Sequence, residues 1–219
     1  FTLDTRMWDD QFQPLAEHYR VLRYDARGFG RSDLPTDEPF SPHDDLRALL
    51  EHLGLGPAAI VGLSMGGGIA ADFAIAHPDL TRALVLLDAA LGGHRFSPEW
   101  GAAVRPIWGG AREEGLAVAK ARWLAHDLFV PANEQAAVGA RLATMVGEYS
   151  GWHWLNREPA RGVEPPTLED PGRIAAPILA IIGERDVPDF QAITRQLAEG
   201  VPGTRMVTIS GVGHMSNME

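Results

Sequence analysis

The chain has 219 residues, 45% of them apolar, and a formal charge of −10, which fits a single domain with a substantial core. The acidic balance and the lack of a basic stripe argue against a phosphate backbone or an anionic membrane surface as partner. Without cysteine there are neither disulfides nor thiolate metal sites, and no apolar run approaches the length of a membrane span. No signal-peptide pattern opens the chain, so a cytoplasmic location is expected; neither a cofactor nor a metal is expected, and the oligomeric state stays open.

Strand-like runs alternate with helical patterns along most of the sequence. The first run is Arg20-Val21-Leu22-Arg23-Tyr24-Asp25, followed by the turn Gly28-Phe29-Gly30. That turn starts like a dinucleotide loop, but Asp33 stands where the third glycine belongs, so it reads as structural, braced by Arg27 and Asp33. Ser41-Pro42 open a helix over residues 44–53, with serine as N-cap and proline in the first turn, and Gly54 stops it. Further strand-like runs fall at residues 58–63, 82–88, 177–182 and 204–209, and Pro188-Asp189 open a helix ahead of Gly200. Five such runs predict a mostly parallel α/β sheet with flanking helices. Residues 91–166 break the alternation: helical segments open at Ser97-Pro98 and Pro131-Ala132-Asn133, with no convincing strand. They read as a helical cap inserted into a core made of residues 1–90 and 167–219.

The most informative local pattern is Gly62-Leu63-Ser64-Met65-Gly66, directly after Ala58-Ala59-Ile60-Val61 and directly before the small-residue helical run from Gly67 to Ala76. A serine held between two glycines at a strand-to-helix turn is the G-x-S-x-G nucleophile elbow. The serine takes a strained backbone conformation there, and the glycines remove clashes on either side. A serine hydroxyl is a weak nucleophile until a histidine takes its proton, and that imidazole needs a buried carboxylate to fix its tautomer. In an open α/β sheet such groups converge on loops at the carboxyl ends of strands. Of the eight histidines, His214, in Gly211-Val212-Gly213-His214-Met215, is the one that follows the last strand-like run. Asp186, in Gly183-Glu184-Arg185-Asp186, ends the preceding strand and is the expected acid; Asp88, also at a strand end, is its rival.

The order Ser64, Asp186, His214, together with Asp4-Thr5-Arg6-Met7-Trp8, Gln11, the run from Tyr24 to Asp33 and the run from Gly211 to Met215, resembles the α/β-hydrolase superfamily, within it the capped serine esterases, lactonases and non-haem perhydrolases. The resemblance covers nearly the whole chain. It implies a serine hydrolase that cleaves a carboxylic ester or lactone through an acyl-enzyme, with the oxyanion held by the backbone N–H of Met65 and of Phe1. It also implies earlier strands and a His-Gly pair ahead of Phe1 and a closing helix after Glu219, so the sequence is expected to be a fragment with one open sheet edge, lowered stability and a loose Phe1 donor. Five of the six tryptophans lie between residues 100 and 154. Most are expected to pack the cap, while Trp108, Trp152, His153 and Trp154 are candidates for an apolar acyl or alcohol pocket. C–C bond hydrolysis or perhydrolysis would use the same triad, and a ligand-binding module without turnover is the alternative from another class.

Overall fold

The computed structural model describes residues Phe1–Glu219. Two compact units emerge: one comprises Phe1, Pro39–Arg95 and Ala160–Ser216, the other Thr2–Glu38, Phe96–Pro159 and Asn217–Glu219. No helix is long and apolar enough to cross a membrane.

The first unit carries the sheet. Its elements in chain order are α2 (Pro42–His52), β1 (Ala58–Leu63), α3 (Met65–Ala76), β2 (Thr81–Leu87), β3 (Ile178–Gly183), α9 (Pro188–Gly200) and β4 (Arg205–Ile209), numbered so that α1 and α4 to α8 fall in the second unit. The four strands are all parallel and lie in sequence order, β1-β2-β3-β4. Parallel neighbours need a crossover, and α3 and α9 supply two of them; α3 packs on β1 and β2, α9 on β3 and β4. Leu84 and Leu86 of β2 and Ile178, Ala180 and Ile182 of β3 are buried, as the apolar residues of a central parallel strand should be. Val61 of β1, on the edge strand, stands 45% exposed. The helix starts follow local rules: Pro42 and Pro188 occupy first-turn positions where the missing N–H costs nothing, and Gly54 follows α2 with a left-handed φ of 60°.

The second unit is helical. It contains α1 (Asp9–Ala16), α4 (Pro98–Glu113), α5 (Leu116–Leu124), α6 (Val130–Asn133), α7 (Ala136–Glu148) and α8 (Trp152–Leu155). Ser97 caps α4 by accepting from the Trp100 N–H at 3.1 Å. Aromatic rings fill its centre: Trp154, fully buried, meets Trp108 at 6.3 Å and Tyr149 at 5.3 Å between centroids, both edge-on, and Trp123 meets Phe129 at 5.4 Å.

One expectation is corrected. Residues 20–25 form no strand, although their composition suits one. A strand is defined by its ladder, and no ladder includes this run; Arg23 Nη1 donates to Thr5 O at 3.0 Å and Asp25 Oδ1 accepts from Thr5 N–H at 2.7 Å. The following turn is braced by Asp33, whose backbone oxygen accepts from Gly28 N–H at 2.9 Å, and also by the Asp25 side chain, which accepts from Arg31 N–H at 2.9 Å.

Candidate active site

Ser64 sits between β1 and α3 with φ 54° and ψ −120°, a region that a residue with a Cβ enters only under constraint. The constraint is visible. Ser64 N–H donates to Leu87 O at 2.9 Å, and Ser64 O accepts from Gly68 N–H at 3.1 Å and from Ala90 N–H at 2.9 Å, so neighbouring segments hold the strained residue on both sides. A Cβ on Gly62 would fall 2.7 Å from Gly67 N and closer still to the Gly66 carbonyl, so only glycine lets the helix start turn back over the strand end. A Cβ on Gly66 would meet nothing within 4 Å. The clash relief expected of both glycines therefore belongs to Gly62 alone. Met65 is the first residue of α3, where backbone N–H groups lack intrahelical acceptors and the helix dipole is positive.

At the ends of β3 and β4 stand Asp186 and His214. His214 Nδ1 lies 2.9 Å from Asp186 Oδ2, with side-chain exposures of 3% and 0%. The other carboxylate oxygen, Oδ1, accepts from Val187 N–H at 2.7 Å, and the Phe190 ring packs on the imidazole with centroids 4.3 Å apart. The two loops are zipped together: Glu184 N–H donates to Ile209 O at 2.9 Å, Arg185 N–H to Val212 O at 2.8 Å, and Glu184 Oε2 accepts from Gly211 N–H at 2.8 Å. That last bond pulls the Glu184 carboxyl below the usual range. A Cβ on Gly183 would lie 2.6 Å from Val212 O, so the bare backbone there is what lets the histidine loop pass over β3.

Ser64, Asp186 and His214 thus all belong to the first unit, each at the carboxyl end of a strand of one parallel sheet. Phe1 is half-buried in the same unit. Trp108, Trp152, His153 and Trp154 belong to the second. There His153 stacks on Phe29 at 4.4 Å between centroids, accepts at Nδ1 from the Tyr149 hydroxyl at 2.7 Å, and has Nε2 3.3 Å from Glu158 Oε2. Burial pushes its pKa down to about 4 despite that carboxylate, so at neutral pH the ring is neutral and Nε2–H donates to Glu158. Burial also raises the Tyr149 phenol, keeping it a donor.

Asp88, the rival acid, follows β2 with φ 45° and no exposure at all. Its Oδ1 accepts from Gly183 N–H at 2.8 Å and its Oδ2 from the Ser216 hydroxyl. Burial, then the charge of Asp186, raise its pKa to about 8. His94 Nε2 and Asp189 Oδ1, which no sequence motif joins, form a buried pair 3.1 Å apart. Two groups have donor atoms within 4.8 Å of one another: Asp88, Asp186 and His214, and His43, Asp44 and His77. In the second, Asp44 is already engaged by His77 at 3.0 Å and Arg47 at 3.5 Å.

A strained serine at a strand-to-helix elbow and a buried His–Asp pair at later strand ends of the same sheet define a class of α/β enzymes that work through a nucleophilic hydroxyl. The family model for the alpha/beta hydrolase fold matches residues 1–219, and the chain belongs to that family. It is 28% identical over 222 residues to a putative carbamate hydrolase RutD of Pseudomonas savastanoi pv. phaseolicola, covering 98% of this chain and 83% of the relative. Among solved structures it is similar to the enol-lactonase of Burkholderia xenovorans LB400, with TM-score 0.82, 27% identity and coverage of 99% and 82% of the two chains. A thermophilic esterase of Thermogutta terrifontis gives TM-score 0.79 and 26% identity, covering 100% and 81%.

Proposed function

We propose that the protein hydrolyses a carboxylic ester or lactone through an acyl-enzyme on Ser64. His214 takes the serine proton at Nε2 and returns it to the leaving alcohol; Asp186 holds the imidazole through Nδ1 and stabilises the imidazolium. The Met65 N–H, at the positive end of α3, receives the developing oxyanion, with the Phe1 N–H as second donor. Residues 91–166 act as a cap, with Trp108, Trp152, His153 and Trp154 as pocket residues, and the expected cytoplasmic setting goes with this reading. Support comes from relatives whose names include an esterase and an enol-lactonase. The observation that carries the reading is the pairing of a backbone-strained, nine-tenths buried Ser64 with the buried His214–Asp186 hydrogen bond. Strain of that kind persists where the fold over-determines it, and it clusters at active sites. A fluorophosphonate probe followed by peptide mapping, beside a panel of chromogenic esters and lactones, tests it. Labelling at Ser64 with turnover abolished in Ser64→Ala is expected; turnover that survives Ser64→Ala overturns the proposal.

A further inference from the structure

Asp88 is the buried ionisable group that the triad chemistry leaves unused. Its carboxyl has no solvent exposure, follows the strand adjacent to the one bearing Asp186, and places an oxygen within 4.8 Å of an Asp186 carboxyl oxygen. The groups around it come from two strand ends. Gly183 N–H of β3 donates to Oδ1 at 2.8 Å, the Ser216 hydroxyl donates to Oδ2, and a donor atom of His214 lies within 4.8 Å. From α3, Asp72 is turned elsewhere, accepting from Thr167 Oγ1 at 2.7 Å and Val163 N–H at 3.3 Å. None of the groups acting most strongly on Asp88 is a cation.

We infer that Asp88 and Asp186 share one proton, with Asp88 as the neutral acid whose O–H donates to the Asp186 carboxylate, making Asp88 a positioning residue for the Asp186–His214 pair. This deepens the proposed hydrolase reading and rests on it for its catalytic consequence. The proximity of two buried carboxyls calls for the proton, and the donors around Asp88 say where it sits. Oδ1 of Asp88 is occupied by an N–H, so the proton sits on Oδ2, which still accepts from Ser216 while donating across to Asp186. Two carboxylates this close cannot both be ionised away from water without a cation. Asp186 then receives three bonds, from Val187 N–H, His214 and Asp88, and its plane is fixed for the imidazole. When hydroxide removes the Asp88 proton, the O–H···O⁻ contact becomes O⁻···O⁻, and the repulsion drives Asp186 off Nδ1. The loss of the Asp88 proton appears as an alkaline step.

The test has two readouts on the full chain. An infrared pH titration follows the C=O band of a protonated carboxyl. The wild type is expected to lose such a band between about pH 7 and 9, and Asp88→Asn, whose amide can accept from Gly183 and donate to Asp186, is expected to lack it. This readout needs no turnover, so it stands or falls apart from the hydrolase reading. The second readout is the pH profile of ester hydrolysis. In wild type, kcat is expected to fall roughly tenfold across the same step with KM unchanged. Asp88→Asn should lower neutral-pH turnover a few-fold and abolish the step, and Ser216→Ala, which removes a donor favouring the ionised form, should move the step to higher pH. An Asp88→Asn protein that keeps the carboxyl band, or keeps the alkaline step at the same pH, overturns the inference.

Discussion

Replacing Gly62 by alanine puts a methyl carbon 2.7 Å from Gly67 N and nearer still to the Gly66 carbonyl, inside the 3.0 Å limit that real Cβ atoms respect. The neighbour is backbone, and helix α3 cannot yield by a rotamer change. Its first turn must retreat by about 1 Å to restore van der Waals contact, an overpacking cost of about 2–3 kcal/mol. For a chain of this length each kcal/mol lowers Tm by about 2–4 °C, so a fall of about 4–12 °C is expected. The same retreat carries Ser64 and the Met65 N–H out of register with His214, and a displacement of about 1 Å costs roughly a hundredfold in kcat. Gly66→Ala is the internal control: its Cβ meets nothing within 4 Å, its φ is not left-handed, and alanine in a helix gains about 0.5–1 kcal/mol over glycine. Scanning fluorimetry and chromogenic ester turnover of the two variants measure both effects. Equal Tm and rate for Gly62→Ala and wild type, or a Gly66→Ala protein as damaged as Gly62→Ala, would refute the steric account of the elbow.

The remaining predictions concern the triad, the cap and acid stability. Ser64→Ala and His214→Ala should each remove nearly all hydrolysis and Asp186→Asn about four orders of magnitude, against a few-fold for Asp88→Asn; steady-state kinetics giving the reverse ranking of the two aspartates would reassign the acid. Trp152, half-buried on α8, should on replacement by alanine change the ranking of acyl esters more than it changes Tm, whereas Trp154→Ala removes a fully buried ring and should cost about 3–5 kcal/mol. His153 has its pKa lowered from 6.5 to about 4 by burial, so between those values the unfolded chain binds more protons than the folded one. Stability is therefore present above pH 6.5 and is lost as pH falls toward 4, by at most about 3 kcal/mol; urea titrations across that window should show the slope, and His153→Phe should lack it.

How far the sequence reads through to the structure depends on whether each feature is local. The Ser64 elbow is legible because strand, glycine, serine and helix start are contiguous, and the helix starts at Pro42, Pro98 and Pro188 are legible because capping is decided within one turn. Asp186 and His214 stand out because strand-end loops are where a parallel sheet collects chemistry. Residues 20–25 have the composition of a strand, but pairing is a property of two segments and no composition supplies the second. Gly66 is misjudged because only coordinates distinguish an open Cβ direction from a blocked one. The Asp88–Ser216 contact and the His94–Asp189 pair join residues 128 and 95 positions apart, and neither separation leaves a mark on the local sequence.

The strictly sequential sheet divides the reacting groups between two halves. β1-α3-β2 carries Ser64 and Asp88; β3-α9-β4 carries Asp186 and His214. Each half closes over a short stretch of chain, but the seam between β2 and β3 joins Leu87 to Ile178 across the whole intervening segment, roughly five times the distance along the chain from Leu63 to Thr81. Loop closure makes that seam about 1.4 kcal/mol more expensive to zip than either half alone, so it is expected to be the late event of folding. At the seam lie the Asp88 N–H to Ile181 O bond at 2.9 Å and the Gly183 N–H to Asp88 bond. A nascent chain can therefore possess a formed elbow, and separately a formed His–Asp pair, well before it possesses a nucleophile. In a refolding experiment the regain of Ser64 reactivity should trail helix formation and coincide with the final docking of the two halves, so that probe labelling times the last step of folding.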